Sequence, residues 1–324
     1  MHVLVCGGAG YIGSHLAKAL AARGDEVTVL DNLSTGHREA VRWGALVETD
    51  LRDPVALDRV FAGHRFDAVM HFCARSLVGE SMLAPYDYYA NNVTGTLNLL
   101  QAMHRHGVSR LVFSSTAAVF GQPLAERIGE DHPTAPINPY GASKLMVERM
   151  LADAAHAYGL RSAALRYFNA AGASPDGDLG ESHMPETHLI PNVLRAALGH
   201  GSALTVYGDD YATPDGTCVR DYVHVDDLAQ AHLLALGYMD AHAGAHAFNL
   251  GNGCGFSVYQ VIAAARQVTG QAIPFEVAPR RAGDAAVLVA SSERARDRLG
   301  WQPRHTALAP IIESAWRWHQ RPGF

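Results

Sequence analysis

The chain has 324 residues, a length that predicts two domains or one large α/β domain. Hydrophobic residues make up 48% of it, which is enough to bury a large core and too many for a disordered chain. The net charge is 26 − 32 = −6 and the lysines and arginines form no cluster, so the composition argues against a nucleic-acid-binding surface.

Neither a membrane nor a secretion signal is evident in the sequence. No apolar stretch approaches the roughly 20 residues that a membrane-spanning helix needs. The first six residues lead directly into a glycine-rich loop, without the basic leader and apolar core of a signal peptide. The four cysteines are widely spaced and form no Cys-x-x-Cys pair, which argues against a zinc knuckle or a disulfide framework. We therefore expect a cytoplasmic protein that binds neither membranes nor nucleic acids.

Short, mostly apolar runs alternate with helical patterns in the first half of the chain. The runs predict strands buried on both faces, at residues 3–5, 27–30, 45–47, 68–70, 111–113 and 163–165. Ile12, Leu16 and Leu20 mark one face of the first helix, and residues 85–106 and 139–158 predict longer helices that open with proline. This alternation predicts a Rossmann-like, doubly wound parallel sheet.

The pattern changes after residue 169. Residues 170–186 predict a long irregular loop, and the remainder mixes strands with helices, which predicts a smaller C-terminal α/β substrate domain. The predicted strands are 204–206, 223–225, 248–250 and 275–277, and the predicted helices are 189–198, 257–269 and 310–318. We expect domains at 1–169 and 170–324, with the chain re-entering the first around 222–251.

His232, His242 and His246 fit a solvated helix end better than a metal site, and no metal is predicted.

A glycine-rich loop follows the first strand and opens the first helix. Two glycine spacings are possible in it: Gly7-x-x-Gly10-x-x-Gly13 and Gly8-x-Gly10-x-x-Gly13. The early glycines permit a tight turn and a close approach of the backbone to a pyrophosphate at the helix N-terminus, while Gly13 lets helix and strand pack closely. The loop therefore predicts a dinucleotide site.

Two aspartates follow the next strands. Asp31 stands 18 residues after Gly13, where an acid accepts hydrogen bonds from the adenosine ribose and favours NAD over NADP. Asp50 ends the third strand, a position suited to contact the adenine. The alternatives are that Asp31 caps a helix or stabilises a turn, and that Asp50 is a turn residue.

Tyr140 and Lys144 lie four residues apart at the start of a predicted helix, so the phenol and the ammonium share one face. A nearby ammonium, together with a cationic nicotinamide ring, favours the phenolate and lowers the pKa of the tyrosine. Thr116 ends the fifth strand opposite this pair, which predicts a catalytic set; the alternative is that Thr116 is only a buried hydrogen-bond partner.

Together these features resemble the extended short-chain dehydrogenase/reductase superfamily, and further stretches narrow the resemblance to the UDP-glucose (UDP-galactose) 4-epimerase family over nearly the whole chain. Those stretches lie at residues 30–34, 71–72, 78–81, 91–96, 166–169, 215–225 and 279–284.

The resemblance implies a tightly held NAD and a UDP-sugar substrate. The implied cofactor contacts are Gly7, Gly10, Tyr11, Ile12, Gly13, Asp31, Asn32, Leu33, Ser34, Thr35, Gly36, Asp50, Leu51, Phe72, Cys73, Ala74, Ser76, Asn91, Tyr140, Lys144 and Phe168. The implied substrate contacts are Thr116, Tyr140, Asn169, His188, Leu189, Arg220, Arg281, Asp284 and Leu288. Ser76 stands where some relatives carry a lysine and Leu288 where some carry a tyrosine. The alternative for Arg220 and Asp221 is a surface ion pair.

The implied reaction is reversible epimerisation at C4 of a UDP-hexose, with Tyr140 as the base, Thr116 on the 4-hydroxyl, and a 4-keto intermediate. Dehydratases and decarboxylases of the superfamily carry an acid shortly after the threonine, where this chain has Ala117 and Ala118. A 4-epimerase for UDP-N-acetylglucosamine or UDP-glucuronate and a non-catalytic NAD-binding regulator stay as alternatives. The resemblance also implies a homodimer formed by helices 85–106 and 139–158, with Leu97, Leu100, Met146 and Met150 able to serve the contact.

Overall fold

The structure is a computed structural model that describes residues 1–200, 203–281 and 284–324. Gly283, part of the last stretch that carries the family resemblance, lies outside the described residues. The strands are β1 (His2–Cys6), β2 (Glu26–Asp31), β3 (Ala45–Glu48), β4 (Ala68–His71), β5 (Arg110–Thr116), β6 (Arg161–Tyr167), β7 (Asn169–Ala171), β8 (Leu204–Tyr207), β9 (Val219–His224), β10 (Ala245–Leu250), β11 (Gly255–Ser257), β12 (Phe275–Ala278) and β13 (Val287–Leu288).

The helices occupy the segments between these strands and the C-terminal end of the chain. They are α1 (Tyr11–Ala22), α2 (Pro54–Gly63), α3 (Val78–Leu83), α4 (Pro85–Tyr88), α5 (Gly95–Arg105), α6 (Pro139–Tyr158), α7 (Leu189–Ala197), α8 (Val225–Ala241), α9 (Val258–Thr269), α10 (Glu293–Leu299) and α11 (Leu308–Gln320). In the described part of the chain, none of them combines the length and apolarity needed to cross a bilayer.

Seven parallel strands form the central sheet, in the order β10-β6-β5-β4-β1-β2-β3. Side chains alternate between its faces: Val3 and Val5 pack with α1 and α8, whereas Leu4 and Cys6 pack with α2, α5 and α6. Burial on both faces explains the short apolar runs of β1, β2, β4, β5 and β6, whereas the predicted burial of residues 45–47 is wrong because β3 lies at the edge of the sheet and is only partly buried. The predicted doubly wound α/β fold is confirmed, and the strand order reverses between β1 and β4.

A second group of strands and helices follows β6. Strand β9 pairs with β7, β11 and β13, and β8 pairs with β12. Helices α7, α9 and α11 bury their apolar faces on one another and on these strands, around Ile190, Val261 and Ile311. The predicted mixture of short strands and helices in this half is therefore present.

The return of the chain to the central sheet differs from the sequence prediction in one respect. Residues 248–250 belong to β10, which pairs with β6 as expected. Residues 223–224 belong instead to β9 in the smaller sheet, and Val225 begins α8. The return is therefore made by α8 and β10, because an apolar run identifies a buried strand but not the sheet that it joins.

The assignment of His232 to a solvated helix end is wrong. Its side chain is buried within α8, where Nδ1 contacts the carbonyl oxygen of Leu228 at 2.8 Å and the ring lies against Phe72. Burial lowers its pKa to about 4, so the imidazole is neutral. His242, by contrast, is exposed at the end of the helix.

A π-helical segment, Tyr89–Thr94, interrupts the predicted helix 85–106 between α4 and α5. Asn92 lies in this segment with its side chain buried. Its amide group donates to the carbonyl oxygen of Arg75 and to the Ser143 hydroxyl, and its amide oxygen accepts from the Arg75 N–H. The altered helical turn thus lets one asparagine join the segment after β4 to α6.

Candidate active site

Several of the site residues singled out in the sequence lie along one edge of the central sheet. Gly7, Phe72 and Thr116 stand at or just after the carboxyl ends of β1, β4 and β5. Because all seven strands are parallel, these ends share one edge, and a ligand crevice is expected where the strand order reverses, between β1 and β4. The structure therefore brings the predicted dinucleotide loop and the predicted catalytic set to the same edge.

The glycine-rich loop presents the N-terminus of α1 to this crevice. Gly10 precedes the helix, and among the described residues no side chain caps its N–H groups and no acid stands in its first turn. Gly7 has a positive φ of 82° and packs against the backbone of Phe72 and Cys73. A Cβ at Gly13 would lie 2.1 Å from the carbonyl oxygen of Gly7. Uncapped N–H groups at a helix N-terminus fit the pyrophosphate of a dinucleotide.

Asp31 connects this loop to the end of β2. Its carboxylate is buried and accepts hydrogen bonds from the N–H groups of Ala9, at 3.0 Å, and Leu33, at 2.9 Å. Burial raises the pKa of Asp31, and the backbone hydrogen bonds oppose the rise. The carboxylate therefore stabilises the turn after β2, one of the two interpretations of this residue, and a ribose contact at the same group stays a prediction.

The side chain of Asp50 is engaged by its neighbours. The Arg52 guanidinium binds it through two hydrogen bonds and holds its pKa well below the usual range, and the Asn32 amide donates to it at 2.9 Å. Asp50 thus stabilises the turn after β3, and a contact with the adenine stays a prediction. Leu51 is buried, whereas Ser76 is exposed, and the Asn91 amide donates to the side chain of Asn92.

Helix α6 carries the tyrosine–lysine pair, and its start is well defined. Asn138 caps the helix by accepting from the Gly141 N–H, and Pro139 follows at the first helical position. Tyr140 is partly buried, and the nearby Thr116 side chain lowers the pKa of its phenol. The Lys144 ammonium lies 6.0 Å from the centroid of the Tyr140 ring. The structure therefore brings together all three predicted catalytic residues.

Lys144 is buried, with 3% of its surface exposed. Its ammonium donates to the carbonyl oxygen of Ser114 at 2.7 Å and lies 4.8 Å from the centroid of the Phe113 ring. Burial lowers its pKa to about 7, so the ammonium is only partly charged at neutral pH.

Tyr140 differs from the sequence expectation in its ionisation. Burial raises its pKa above the usual value, while the Thr116 side chain lowers it in part. A partly charged Lys144 does not outweigh the cost of a buried phenolate, so the tyrosine is protonated in the protein alone. The sequence-based prediction of a lowered pKa for this tyrosine assumed a fully charged lysine together with a cationic nicotinamide ring beside the phenol.

Sequence reasoning missed the network behind these residues. Glu148 stands one turn after Lys144, is nearly buried, and accepts three hydrogen bonds from Arg166 on β6. The Ser115 hydroxyl donates to the same carboxylate, and the Ser114 hydroxyl pairs with Tyr167. The spacing of Tyr140, Lys144 and Glu148 was the available signal, because residues four apart share a helix face.

Part of the predicted substrate set lies around β9. The Arg220 guanidinium lies 3.6 Å from the Asp284 carboxylate. Strand β13 pairs with β9, and Leu288 on β13 lies beside Arg220 on β9. Leu288 also packs against the apolar group of Val119, Phe120 and Ile128, beside Phe168. This contact brings the arginine strand close to the segment that follows Thr116.

The remaining predicted substrate residues are held by separate contacts. The Asn169 amide donates to the Asp221 carbonyl oxygen, His188 pairs with Glu181, and Leu189 packs in the core of the second half. The Arg281 guanidinium stacks 3.8 Å from the centroid of the Tyr207 ring, and its side chain is exposed. Their convergence on one ligand stays a prediction.

The interpretation of Arg220 and Asp221 as a surface ion pair is wrong. Asp221 is fully buried, and its carboxylate accepts from the N–H groups of Asn252, Gly253 and Ala290. Burial raises its pKa to about 6, and the three N–H groups act against this rise. Asp221 therefore joins three chain segments and holds β9 in place.

The chain matches known proteins over its full length. The model of the NAD dependent epimerase/dehydratase family matches residues 3–251. A UDP-glucose 4-epimerase of Halalkalibacterium halodurans is 52% identical over 99% of this chain and 96% of its own. The crystal structure of a UDP-glucose 4-epimerase from Brucella ovis in complex with NAD has a TM-score of 0.95 at 50% identity, covering 97% of both chains. That from Bifidobacterium longum in complex with NAD+ and UDP has a TM-score of 0.96 at 38% identity, covering 100% of both.

We expect Glu148→Gln to destabilise the protein by about 3–5 kcal/mol, because it leaves the buried Arg166 without its counter-charge. The matched control is Asp58→Asn, which removes the exposed ion pair with Arg105 and should change little. Urea unfolding of both variants measures the difference. Equal midpoints for the two would contradict a structural role for the buried pair.

Proposed function

The chain belongs to the NAD dependent epimerase/dehydratase family, and we propose that it is a UDP-glucose 4-epimerase, an isomerase that interconverts UDP-glucose and UDP-galactose by reversible epimerisation at C4. The observation that carries this proposal is the position of Tyr140 and Lys144 on one face of α6, beside Thr116 at the end of β5. This set lies at the sheet edge that also holds the glycine-rich loop.

NAD is the cofactor, as in the family and in the relatives crystallised with it. The chemistry that it supplies when bound is reversible hydride transfer. The uncapped N-terminus of α1 binds its pyrophosphate, and Asp31 accepts from its adenosine ribose. Residues 1–169, with the return through α8 and β10, form the NAD-binding part, and the rest of 170–324 forms the UDP-sugar-binding part.

Tyr140 exchanges a proton with the 4-hydroxyl of the sugar, and Thr116 hydrogen-bonds that hydroxyl. Since burial favours the neutral phenol, the phenolate needs nearby positive charge, and the ammonium of Lys144 lies on the same helix face. The Ser114 carbonyl and the Phe113 ring hold that ammonium in place. Lys144 therefore supplies positive charge at a fixed position relative to the phenol.

The UDP-sugar lies against the second half of the chain. Arg220 and Arg281 pair with its pyrophosphate, because guanidinium groups bind phosphate oxygens through two parallel hydrogen bonds. Asn169, Asp284 and Leu288 complete the binding surface around the sugar, and His188 and Leu189 line it from the start of α7.

Free cysteine side chains, one of them exposed, are consistent with the cytoplasm as the location.

Tyr140→Phe tests the catalytic assignment. Loss of a general base typically costs about 10²–10⁴-fold in turnover, and we expect a loss of that size with UDP-galactose as substrate. The matched control is Tyr158→Phe at the other end of α6, where the tyrosine is exposed. Product formation is followed by chromatography, and NAD(H) released on denaturation shows whether the cofactor site is intact. Near-normal turnover in Tyr140→Phe would refute the proposed base.

Leu288→Tyr tests the range of sugars. We expect the wild type to turn over UDP-N-acetylglucosamine and UDP-N-acetylgalactosamine measurably but less well than the plain sugars, since leucine leaves more room than tyrosine. Overpacking costs about 1–3 kcal/mol, so the variant should lose a further roughly 10- to 100-fold in kcat/KM for the acetylated sugars. Leu124→Tyr, at an exposed position, is the control. An unchanged ratio of acetylated to plain activity would show that Leu288 does not select the sugar.

We also propose that the chain forms a homodimer through α5 and α6. Leu97 and Met146 are 43% and 42% exposed on these helices, and Leu83 and Tyr86 on the neighbouring α3 and α4 are almost fully exposed. Apolar side chains grouped in this way indicate a protein interface. Leu100 and Met150 are partly buried and contribute less.

The double variant Leu97→Glu, Met146→Glu should be monomeric, because it places charge in the middle of the proposed interface. Sedimentation at micromolar concentration should give twice 34.8 kDa for the wild type and 34.8 kDa for the variant. Leu124→Glu, an exposed leucine outside these helices, should leave the dimer intact. A wild-type monomer would refute the interface.

A further inference from the structure

Four side chains of the segment before α7 point toward one another. They follow the spacing Glu181-x-His183-x-x-Glu186-x-His188, and one ligand atom from each lies within 4.8 Å of those of the other three. We propose that they bind one divalent transition-metal ion, with zinc as the metal that fits best. The tyrosine–lysine pair contributes no ligand to this site, whereas His188 also belongs to the proposed UDP-sugar surface.

Two of the distances between the ligand atoms are close to those of tetrahedral coordination. Nδ1 of His183 lies 3.3 Å from Oε1 of Glu181 and 3.6 Å from Oε2 of Glu186, and Nδ1 of His188 contacts the same Glu181 oxygen. Zinc binds imidazole nitrogen and carboxylate oxygen at about 2.0–2.2 Å, so a tetrahedral site places its ligand atoms roughly 3.3 Å apart. Small adjustments of these side chains would therefore suffice to surround an ion.

Burial and charge also favour a cation at this point. The Glu181 and Glu186 side chains are only 4% and 3% exposed, yet both turn toward the same imidazole. Two carboxylates removed from water so close together repel each other and lose hydration, which is costly unless positive charge compensates, as the paired imidazoles do when they are protonated. One divalent ion would neutralise both, with the two imidazoles as neutral ligands.

The ligand types select the class of metal. Calcium and magnesium prefer sites made of oxygen atoms alone, whereas imidazole nitrogen suits zinc and its neighbours in the first transition row. Four protein ligands fill the tetrahedron and leave no position for a substrate, which is the arrangement of a structural metal site rather than a catalytic one.

The surroundings indicate what such an ion would stabilise. The Trp318 indole on α11 donates to the Glu181 carbonyl oxygen at 3.0 Å, and the His37 ring contacts the Ser182 carbonyl oxygen at 3.2 Å. The ligands thus lie where an irregular segment meets α11 and the loop after β2. A bound ion would join both ends of the segment 181–188 just before α7 begins.

The test measures zinc binding to the full-length protein. Protein stripped with EDTA is titrated with zinc chloride alone by isothermal calorimetry, and we expect one ion per chain. Loss of a residue that only orients a ligand typically weakens metal binding by about 10–100-fold, so loss of a ligand in His183→Ala should weaken it by more than about 100-fold. His242→Ala, an exposed histidine outside the cluster, should bind zinc like the wild type.

Glu186→Gln is the second variant, since it keeps the size of the side chain and removes its charge. Cobalt(II) in place of zinc should give the intense visible absorption of a tetrahedral ion in the wild type and lose it in both ligand variants. Circular dichroism verifies that each variant is folded. Absence of saturable zinc binding, or equal zinc affinity in folded His183→Ala and wild type, would overturn the proposal and leave an ion-pair cluster. Neither result depends on epimerase activity.

Discussion

The candidate active site depends on an ammonium group held away from water. Lys144 is almost completely buried, and its hydrogen-bond acceptor is a backbone carbonyl rather than a carboxylate. Glu148, one turn away, is bound by Arg166, so its charge is already compensated. Burial without an ion pair lowers the pKa of Lys144 to about 7. The ammonium therefore remains available to stabilise negative charge on the neighbouring phenol, which a salt-bridged lysine would do less well.

The features that sequence reasoning found have local signals. Short apolar runs predicted β1 to β6 because strands inside a parallel sheet consist mostly of apolar residues. The glycine spacing located the loop because Gly13 packs directly on Gly7, where a side chain does not fit. Pro139 marked the start of α6, and with it the position of Tyr140 relative to the sheet edge. In each case the residues that form the feature are neighbours in the chain.

The features that were missed depend on contacts between distant segments. Strand β9 joins the smaller sheet because Asp221 binds three N–H groups from residues 252, 253 and 290, which no local pattern reveals. His232 is buried because α8 packs against both the central sheet and α1, although a histidine near other histidines suggests a solvated end. The π-helical turn before α5 arises from the partners of Asn92 on two other segments. Sequence periodicity describes one element at a time and cannot supply these partners.

The long segment after β7 connects the two halves of the site. The Tyr11 hydroxyl at the start of α1 donates to the Gly172 carbonyl oxygen. Lys18, about two turns further along the same helix, binds Asp176 and Asp178. A loop with few backbone hydrogen bonds of its own needs such partners to hold one conformation. Because these partners lie on the helix whose N-terminus faces the cofactor crevice, the segment leading to α7 is positioned by the same element. The cofactor loop and the start of the substrate-binding half therefore share α1 as a common support.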